Sequence, residues 1–335
     1  MWVRGRTATV SVDPETFVYS LAVGGGLSLG GGSVALTCGG MRFCTDRSCD
    51  RKLRSVGPSI TRSEGSYDSI ERLWEAHDRD ASTCATMLTA VRYHNESDVI
   101  EWVTTLPTGA DGTAREPTAL RSAYKLGTRS GVSIAKVPCK TSTEFPSFRM
   151  PPLASASAHR FISWNGCSLF GPGEYGSLHK WRGGLAGGPL VIFGRNRAGN
   201  HAGDTSRGLT MGLTALVLGA SRSLKVGIVS RVADKITGGV QGMVASLPAN
   251  YSLTFATLAQ PGVTAALIAW GDYLQQSHLS ARLSLADDIL SRKLHYMTDG
   301  GSALNYCDYC APTACKAHAH MHTRAYAHTR IYTYV

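Results

Sequence analysis

From about residue 64 to residue 260 the chain is a succession of short β-rich runs, each closed by a glycine or a polar turn cluster. That punctuation restricts the chain to a mainly β architecture. TMLTAVRYH (86–94) and DVIEWVTTLP (98–107) are separated by the turn cluster HNESD. HRFISWNG (159–166), GPLVIFGR (188–195), LTMGLTALVLGA (209–220), LKVGIVS (224–230) and YSLTFATLA (251–259) follow. In the second run Ile100, Trp102 and Thr104 fall on one face and Val99, Glu101 and Val103 on the other, an alternation compatible with a sandwich strand. Strands at such regular intervals, with helix almost absent, predict a large β-sandwich over 64–260. Composition agrees. The 37 glycines and 17% charged residues suit tight turns, and 43% apolar content in 335 residues suffices for a sizeable core.

Residues 1–63 read as a poorly structured leader. Their glycine cluster GGGLSLGGGS (24–33) lacks the strand–turn–helix context and the Lys-Ser/Thr ending of a phosphate-binding loop, so it is expected to be a loop. The net charge of +10 gathers here, at Arg4, Arg6, Arg42, Arg47, Arg51, Lys52, Arg54 and Arg62. No recognised binding motif accompanies it, so a solvated surface is expected and no nucleic-acid partner. No apolar run is long enough to span a membrane, and MWVRGRTATVSVDPETF lacks the apolar core of a signal peptide. No membrane partner and a cytoplasmic setting are therefore expected. In that setting the sequons at Asn95 and Asn250 are expected to be chance matches; the nine cysteines, odd in number and scattered, argue against a disulfide framework, and most are expected to be free thiols packed as small hydrophobes. The prolines of FPSFRMPP (145–152) are expected to interrupt regular structure.

Beyond 260 the pattern changes. VTAALIAWGDYLQQ (263–276) spaces Val263, Ala266, Leu267, Trp270 and Leu274 as a helix does. SLADDILSRK (284–293) opens on Ser284 as an N-cap, carries acidic residues early and ends in Arg292–Lys293, matching the helix dipole. LHYMTDGG (294–301) is an extended apolar run stopped by a polar glycine turn. A sandwich, two helices and a strand ending in such a turn is the layout of a β-domain leading into a (β/α)8 barrel. The domain reading is a leader over 1–63, a sandwich over 64–260, linking helices and the start of a barrel over 261–310, and a low-complexity tail over 311–335.

The run RLSLADDILSRKLHYMTDGGSALNYCDYC (282–310), preceded by AWGDYL (269–274), resembles the raffinose synthase, seed imbibition protein and alkaline α-galactosidase family, glycoside hydrolase family thirty-six. LPTGADGT (106–113), EFPSF (144–148), FISWNG (161–166), GGPLVIFGR (187–195) and VQGMVASLPANYSL (240–253) resemble that family's N-terminal sandwich. The resemblance covers roughly 65–310. It implies a retaining double displacement, galactosyl transfer or hydrolysis, by two aspartates on later barrel strands. It also implies an oligosaccharide partner of the α-galactoside, galactinol or sucrose type, and no cofactor. A barrel needs roughly 200 residues or more. After Leu294 there is room for its first strand and little else, so no catalytic residue is assigned and this chain is expected to be inactive. The substrate-pocket candidates are Asp299, at the C-terminal end of that strand, and Asn305, Tyr306 and Asp308 in the loop after it. The competing reading of Asp299-Gly300-Gly301 is turn chemistry alone.

A second function class is a non-catalytic carbohydrate-binding sandwich, for which Trp74, Trp164 and Trp181 are the candidate exposed aromatics; burial in the core is the competing reading. A third rests on Cys307-x2-Cys310-x4-Cys315-x2-His318, with His320, His322 and His328, which has half of a zinc-site spacing. From Ala317 to Val335, however, the sequence alternates strictly between Ala/Met/Thr/Ile/Val and His/Arg/Tyr, as a translated purine–pyrimidine repeat would. Such a repeat gives ligands no reason to converge, so no metal site is expected.

Overall fold

Alternating burial sets in well before residue 64. The computed structural model describes residues 2–4, 7–24, 26–46, 48–49, 51–77, 80, 82–115, 140–163, 174–181, 188–194, 214–222, 226–232, 234–242 and 244–279. All of them belong to the unit Met1–Glu116 with Ile134–Ser280. The second helix and the barrel strand expected from the sequence lie outside the described residues.

One layer is a nine-stranded antiparallel sheet. It contains β8 (Arg54–Glu64), β9 (Tyr67–His77), β10 (Thr83–His94), β11 (Val99–Leu106), β15 (His159–Ser163), β16 (Glu174–Ser177), β17 (Leu190–Gly194), β18 (Thr214–Arg222) and β22 (Tyr251–Pro261). Their spatial order is β16-β15-β17-β18-β22-β11-β10-β9-β8. The runs expected as strands at 86–94, 98–107, 159–166, 188–195, 209–220 and 251–259 supply β10, β11, β15, β17, β18 and β22 of this sheet in their described residues. The β10–β11 hairpin turns at Asp98, which takes the left-handed conformation (φ 57°) that Asp tolerates better than most residues. Its carboxylate accepts hydrogen bonds from the Thr7 amide (3.1 Å), Thr7 Oγ1 (2.7 Å) and the Tyr93 hydroxyl (2.9 Å), so the turn also anchors the N-terminal segment.

The opposing layer is assembled from smaller sheets. β1 (Trp2–Arg4), β2 (Ala8–Val12), β3 (Tyr19–Val23) and β4 (Leu27–Leu29) form one; β5 (Ala35–Cys38), β6 (Met41–Cys44) and β7 (Arg51–Lys52), with β13 (Thr143–Glu144), form another. β14 (Ser147–Arg149) pairs with β20 (Lys235–Val240), which pairs with β19 (Gly227–Val232); β12 (Ala110–Asp111) pairs with β21 (Ser246–Leu247). The pieces are stitched by backbone bonds such as Thr37 N–H to Ser142 O (2.8 Å) and Ser142 N–H to Val240 O (2.8 Å).

An aromatic cluster fills the space between the layers. Tyr19 lies 5.1 Å from Trp102, 5.5 Å from Phe145 and 5.4 Å from Phe148, ring centroid to ring centroid, and Phe17 packs edge-on against Trp74. Each buried polar tip is satisfied, as a low-dielectric core requires. Tyr19 donates to Ser33 O (2.8 Å) and accepts from the Ser147 amide (2.7 Å). Trp74 donates to Thr89 Oγ1 (2.8 Å), and Trp102 to Thr257 Oγ1 (3.2 Å).

This arrangement corrects several expectations. Residues 1–63 are not a poorly structured leader: Val10, Tyr19, Leu21, Leu29, Leu36 and Phe43 are core residues. ATVSV and YSLAV carry the period-2 pattern of half-buried strands, which the neighbouring glycines and arginines obscure. The glycine cluster is not all loop either, since Leu27–Leu29 is a strand. Gly32 has a specific role there, because a Cβ on it would sit 2.2 Å from the Tyr19 ring. The prolines of 145–152 flank a short strand, β14, rather than exclude one. Four cysteines are not free thiols: Cys38 pairs with Cys84 and Cys44 with Cys49, at Cα separations of 6.2 and 5.6 Å that a disulfide spans. Trp74 and Trp181 are buried at 3% and 0% exposure, so neither is a platform for sugar, and Trp164 lies outside the described residues.

The helix expected at 263–276 is present as α2 (Val263–Ser277), the longer of two α-helices among the described residues; α1 is Leu153–Ala158. Its apolar stripe does not wait for a barrel. Ala266, Trp270 and Tyr273 pack on the outer face of the large sheet, against Val99, Val191, Phe193, Ala215, Val217, Ala256 and Leu258. Gly219 permits the approach, since a Cβ there would lie 2.9 Å from the Trp270 ring. Among the described residues no helix is long and apolar enough to cross a membrane.

Two outcomes check this packing. Tyr19→Phe keeps the ring but strands the Ser147 amide, and should cost about 1–3 kcal/mol in urea unfolding; an unchanged midpoint would refute the assignment. Truncation after Gly262 uncovers the apolar outer face, so gel filtration should show the shorter chain aggregating more than the full one. A fully monomeric truncated chain would show that α2 is dispensable cover.

Candidate functional site on the outer face of the large sheet

Strand register brings a polar strip to the outer face of β8–β11, beside α2. Glu101 stands opposite Arg92, Arg92 opposite Ser69, and Ser69 opposite Arg62. One row along, His94 stands opposite Tyr67 and Tyr67 opposite Glu64. Cross-strand partners share a face, so these side chains emerge together while Ile100 and Trp102 point into the core. The sequence alternation at 99–104 places Glu101 on the face opposite Trp102, as found.

Glu101 is the centre. Tyr273 of α2 donates to its Oε1 at 2.7 Å, and His94 Nε2 lies 3.2 Å from Oε2, off hydrogen-bond alignment and an ion pair only when the imidazole is protonated. Burial alone would raise the Glu101 carboxyl, but the contacts from His94 and Tyr273 and the charges of His94 and Arg92 outweigh it and hold it below its ordinary value. Burial, reinforced by the Glu101 charge, pushes the Tyr273 hydroxyl up, so it remains a proton donor. The Arg92 guanidinium lies over the Tyr67 ring at 5.2 Å, and the His94 ring is 5.5 Å from Tyr67. Arg62 reaches Glu71 at 3.6 Å, closing the outer rim. Ser69 Oγ and Arg92 Nε are buried with no hydrogen-bond partner.

Both oxygens of Glu101 are engaged, so it is a latch for α2 and a wall of the strip rather than a free general base. The other buried acid among the described residues, Glu144, is held by Arg42 Nη2 (2.5 Å) and Arg115 Nη1 (3.0 Å), tying β13 to β6. Lys235 is likewise neutralised by Asp46; burial would raise the Asp46 carboxyl, but the hydrogen bonds from Lys235 and Ser48 and the Lys235 charge outweigh it and hold it well below its ordinary value. These are structural pairs. No group of three or more His, Cys, Asp or Glu side chains able to hold a metal occurs among the described residues. The substrate-pocket candidates Asp299, Asn305, Tyr306 and Asp308, and the cysteines and histidines of the tail, lie outside the described residues.

Sequence reading separated the two faces of β11 but did not single out Glu101, His94, Arg92, Tyr67 or Ser69. They belong to three strands, and only the register assembles them. A hint was present in the unpaired polarity of Glu101 within an otherwise apolar strand.

The latch predicts a pH dependence. The folded Glu101 carboxyl titrates below its ordinary value of 4.5, so its contribution is present above that value and is lost as pH falls through the lower, folded one. Glu101→Gln should flatten the acid limb of stability against pH, and Tyr273→Phe should cost about 1.5–3 kcal/mol near neutrality. An acid limb unchanged by Glu101→Gln would refute the latch.

No protein-family model and no curated protein matches the chain. Among solved structures it is similar to the α-N-acetylgalactosaminidase NagBb from Bifidobacterium bifidum in its GalNAc complex, with TM-score 0.44, 9% identity, and 82% of this chain and 39% of that one covered. It is similar to a protein in glycosyl hydrolase family 38 from Enterococcus faecalis, with TM-score 0.43, 8% identity, and 83% and 32% covered. A galactose mutarotase related enzyme from Lactobacillus acidophilus gives TM-score 0.34 and 8% identity over 78% of this chain and 97% of that one. The chain thus spans well under half the length of the two hydrolases.

Proposed function

We propose that this chain is the N-terminal sandwich portion of a carbohydrate-active enzyme of the raffinose synthase and alkaline α-galactosidase type, and that on its own it neither hydrolyses nor transfers galactose. One observation carries this reading. The sandwich hands over directly to α2 at Val263, and α2 contains AWGDYL, which opens the run whose continuation to Cys310 resembles that family. Retaining chemistry needs two acids facing one sugar, whereas among the described residues the buried acids are committed elsewhere, Glu144 to Arg42 and Arg115 and Glu101 to Tyr273 and His94. Asp299, Asn305, Tyr306 and Asp308 belong to this proposal as pocket residues of the complete enzyme.

The test is a chromogenic α-galactoside assay on the pure chain, alongside a chain extended by the reading frame downstream of the Cys310 codon. The expected result is no turnover by the former and turnover by the latter. Hydrolysis by the chain alone, or a downstream frame without further strand–helix units, would overturn the reading.

A further inference from the structure

We propose that Asn95 and Asn250 carry N-linked glycans, in a chain that matures in an oxidising, disulfide-forming compartment. The proposal goes beyond the enzymatic reading and does not depend on it. It starts from two pairings. Cys38 of β5 is joined to Cys84 of β10, and Cys44 of β6 to Cys49, across separations of 46 and 5 residues. Structural disulfides form and persist in oxidising compartments and are rare where thiols are kept reduced. The sequons Asn95-Glu96-Ser97 and Asn250-Tyr251-Ser252 count as chance matches only in a reducing, cytoplasmic setting. The disulfides remove that ground.

The fold presents both acceptors. Asn95, Glu96 and Ser97 are exposed in the turn between β10 and β11, and Pro248, Ala249 and Asn250 are exposed in the turn leading into β22. Backbone bonds hold these turns: Asp98 N–H to His94 O (3.0 Å) in the first, and Asn250 N–H to Leu106 O (2.8 Å) in the second. A substituent on either carboxamide therefore breaks none of them. The left-handed backbone at Asn250 (φ 60°) suits Asn for its own sake, so Ser252 is the discriminating residue there. The acceptors lie at opposite ends of β11, because Leu106 pairs with Tyr251 whereas Asn95 precedes Val99. At about 3.3 Å per residue they stand roughly 25 Å apart, so neither glycan hinders the other. The modification forms a bond from the Asn Nδ2 to the anomeric carbon of an oligosaccharide carried on a lipid diphosphate. It breaks that carbon's bond to the diphosphate oxygen, and one amide proton leaves as the lipid diphosphate departs.

Producing the full chain behind a cleavable secretion signal in eukaryotic cells tests both halves. Enzymatic glycan release converts each occupied Asn to Asp, and peptide masses should show that conversion at Asn95 and at Asn250. Ser97→Ala and Ser252→Ala should each abolish the glycan two residues upstream and leave the other in place. Ser97→Thr and Ser252→Thr should retain both, which a purely structural role for the serines would not predict. A non-reducing peptide map should contain the Cys38–Cys84 and Cys44–Cys49 links, and a dithiol reductant should lower the urea midpoint of the secreted chain. Secreted chain with Asn95 and Asn250 unmodified, those four cysteines found free, or a midpoint unmoved by the reductant would overturn the proposal. A glycan at one position alone would overturn the other acceptor. The enzymatic identity stands or falls separately, on the downstream reading frame.

Discussion

The contact between Tyr19 and Trp102 is the constraint on which the rest of the structure depends. Tyr19 sits in the N-terminal sheet and Trp102 in the middle of the large one, and their rings meet at 5.1 Å with Phe145 and Phe148 against both. Two layers made from segments more than eighty residues apart are thereby fixed in register. Dispersion and burial supply the attraction, but neither is directional. Direction comes from the hydrogen bonds of the Tyr19 hydroxyl to Ser33 and Ser147 and of the Trp102 indole to Thr257. The Cys38–Cys84 pairing joins the same two layers covalently at another point, through β5 and β10.

With its inner face committed to that core, the large sheet has two uses for its outer face. Over β17, β18 and β22 the outer residues are apolar, and α2 covers them. On β8 to β11 Val99 still packs with this apolar group, while Glu64, Tyr67, Ser69, Arg92, His94 and Glu101 form a polar strip beside it. Glu101 lies at the boundary and belongs to both regions, hydrogen-bonded to the helix through Tyr273 and in contact with His94 of the strip. A single carboxylate thus sets where the hydrophobic cover ends and the hydrophilic surface begins.

The fold class was legible in the sequence because strand punctuation and period-2 alternation are local properties. The β10–β11 hairpin, the two faces of β11 and the helix at 263–276 followed from residues within one short window. The N-terminal strands were missed for a local reason too: short alternating runs among glycines and arginines resemble a solvated leader until a second layer is present to bury them. The strip at Ser69, Arg92, His94 and Glu101 could not be read at all, since its members come from three strands and acquire a common face only through pairing register.

By itself the sequence determined the β-rich architecture, the position of α2 and its apolar stripe, because side-chain periodicity along the chain encodes which residues can share a face. Only the tertiary structure decided what each face meets: that Trp74 and Trp181 are core residues, that β2 to β7 form much of the second layer, that α2 lies on the sandwich, and that Glu101 latches it. Those outcomes depend on burial and on contacts between residues far apart in the chain, such as Glu101 with Tyr273 or Tyr19 with Ser147, and no window of local sequence contains both partners.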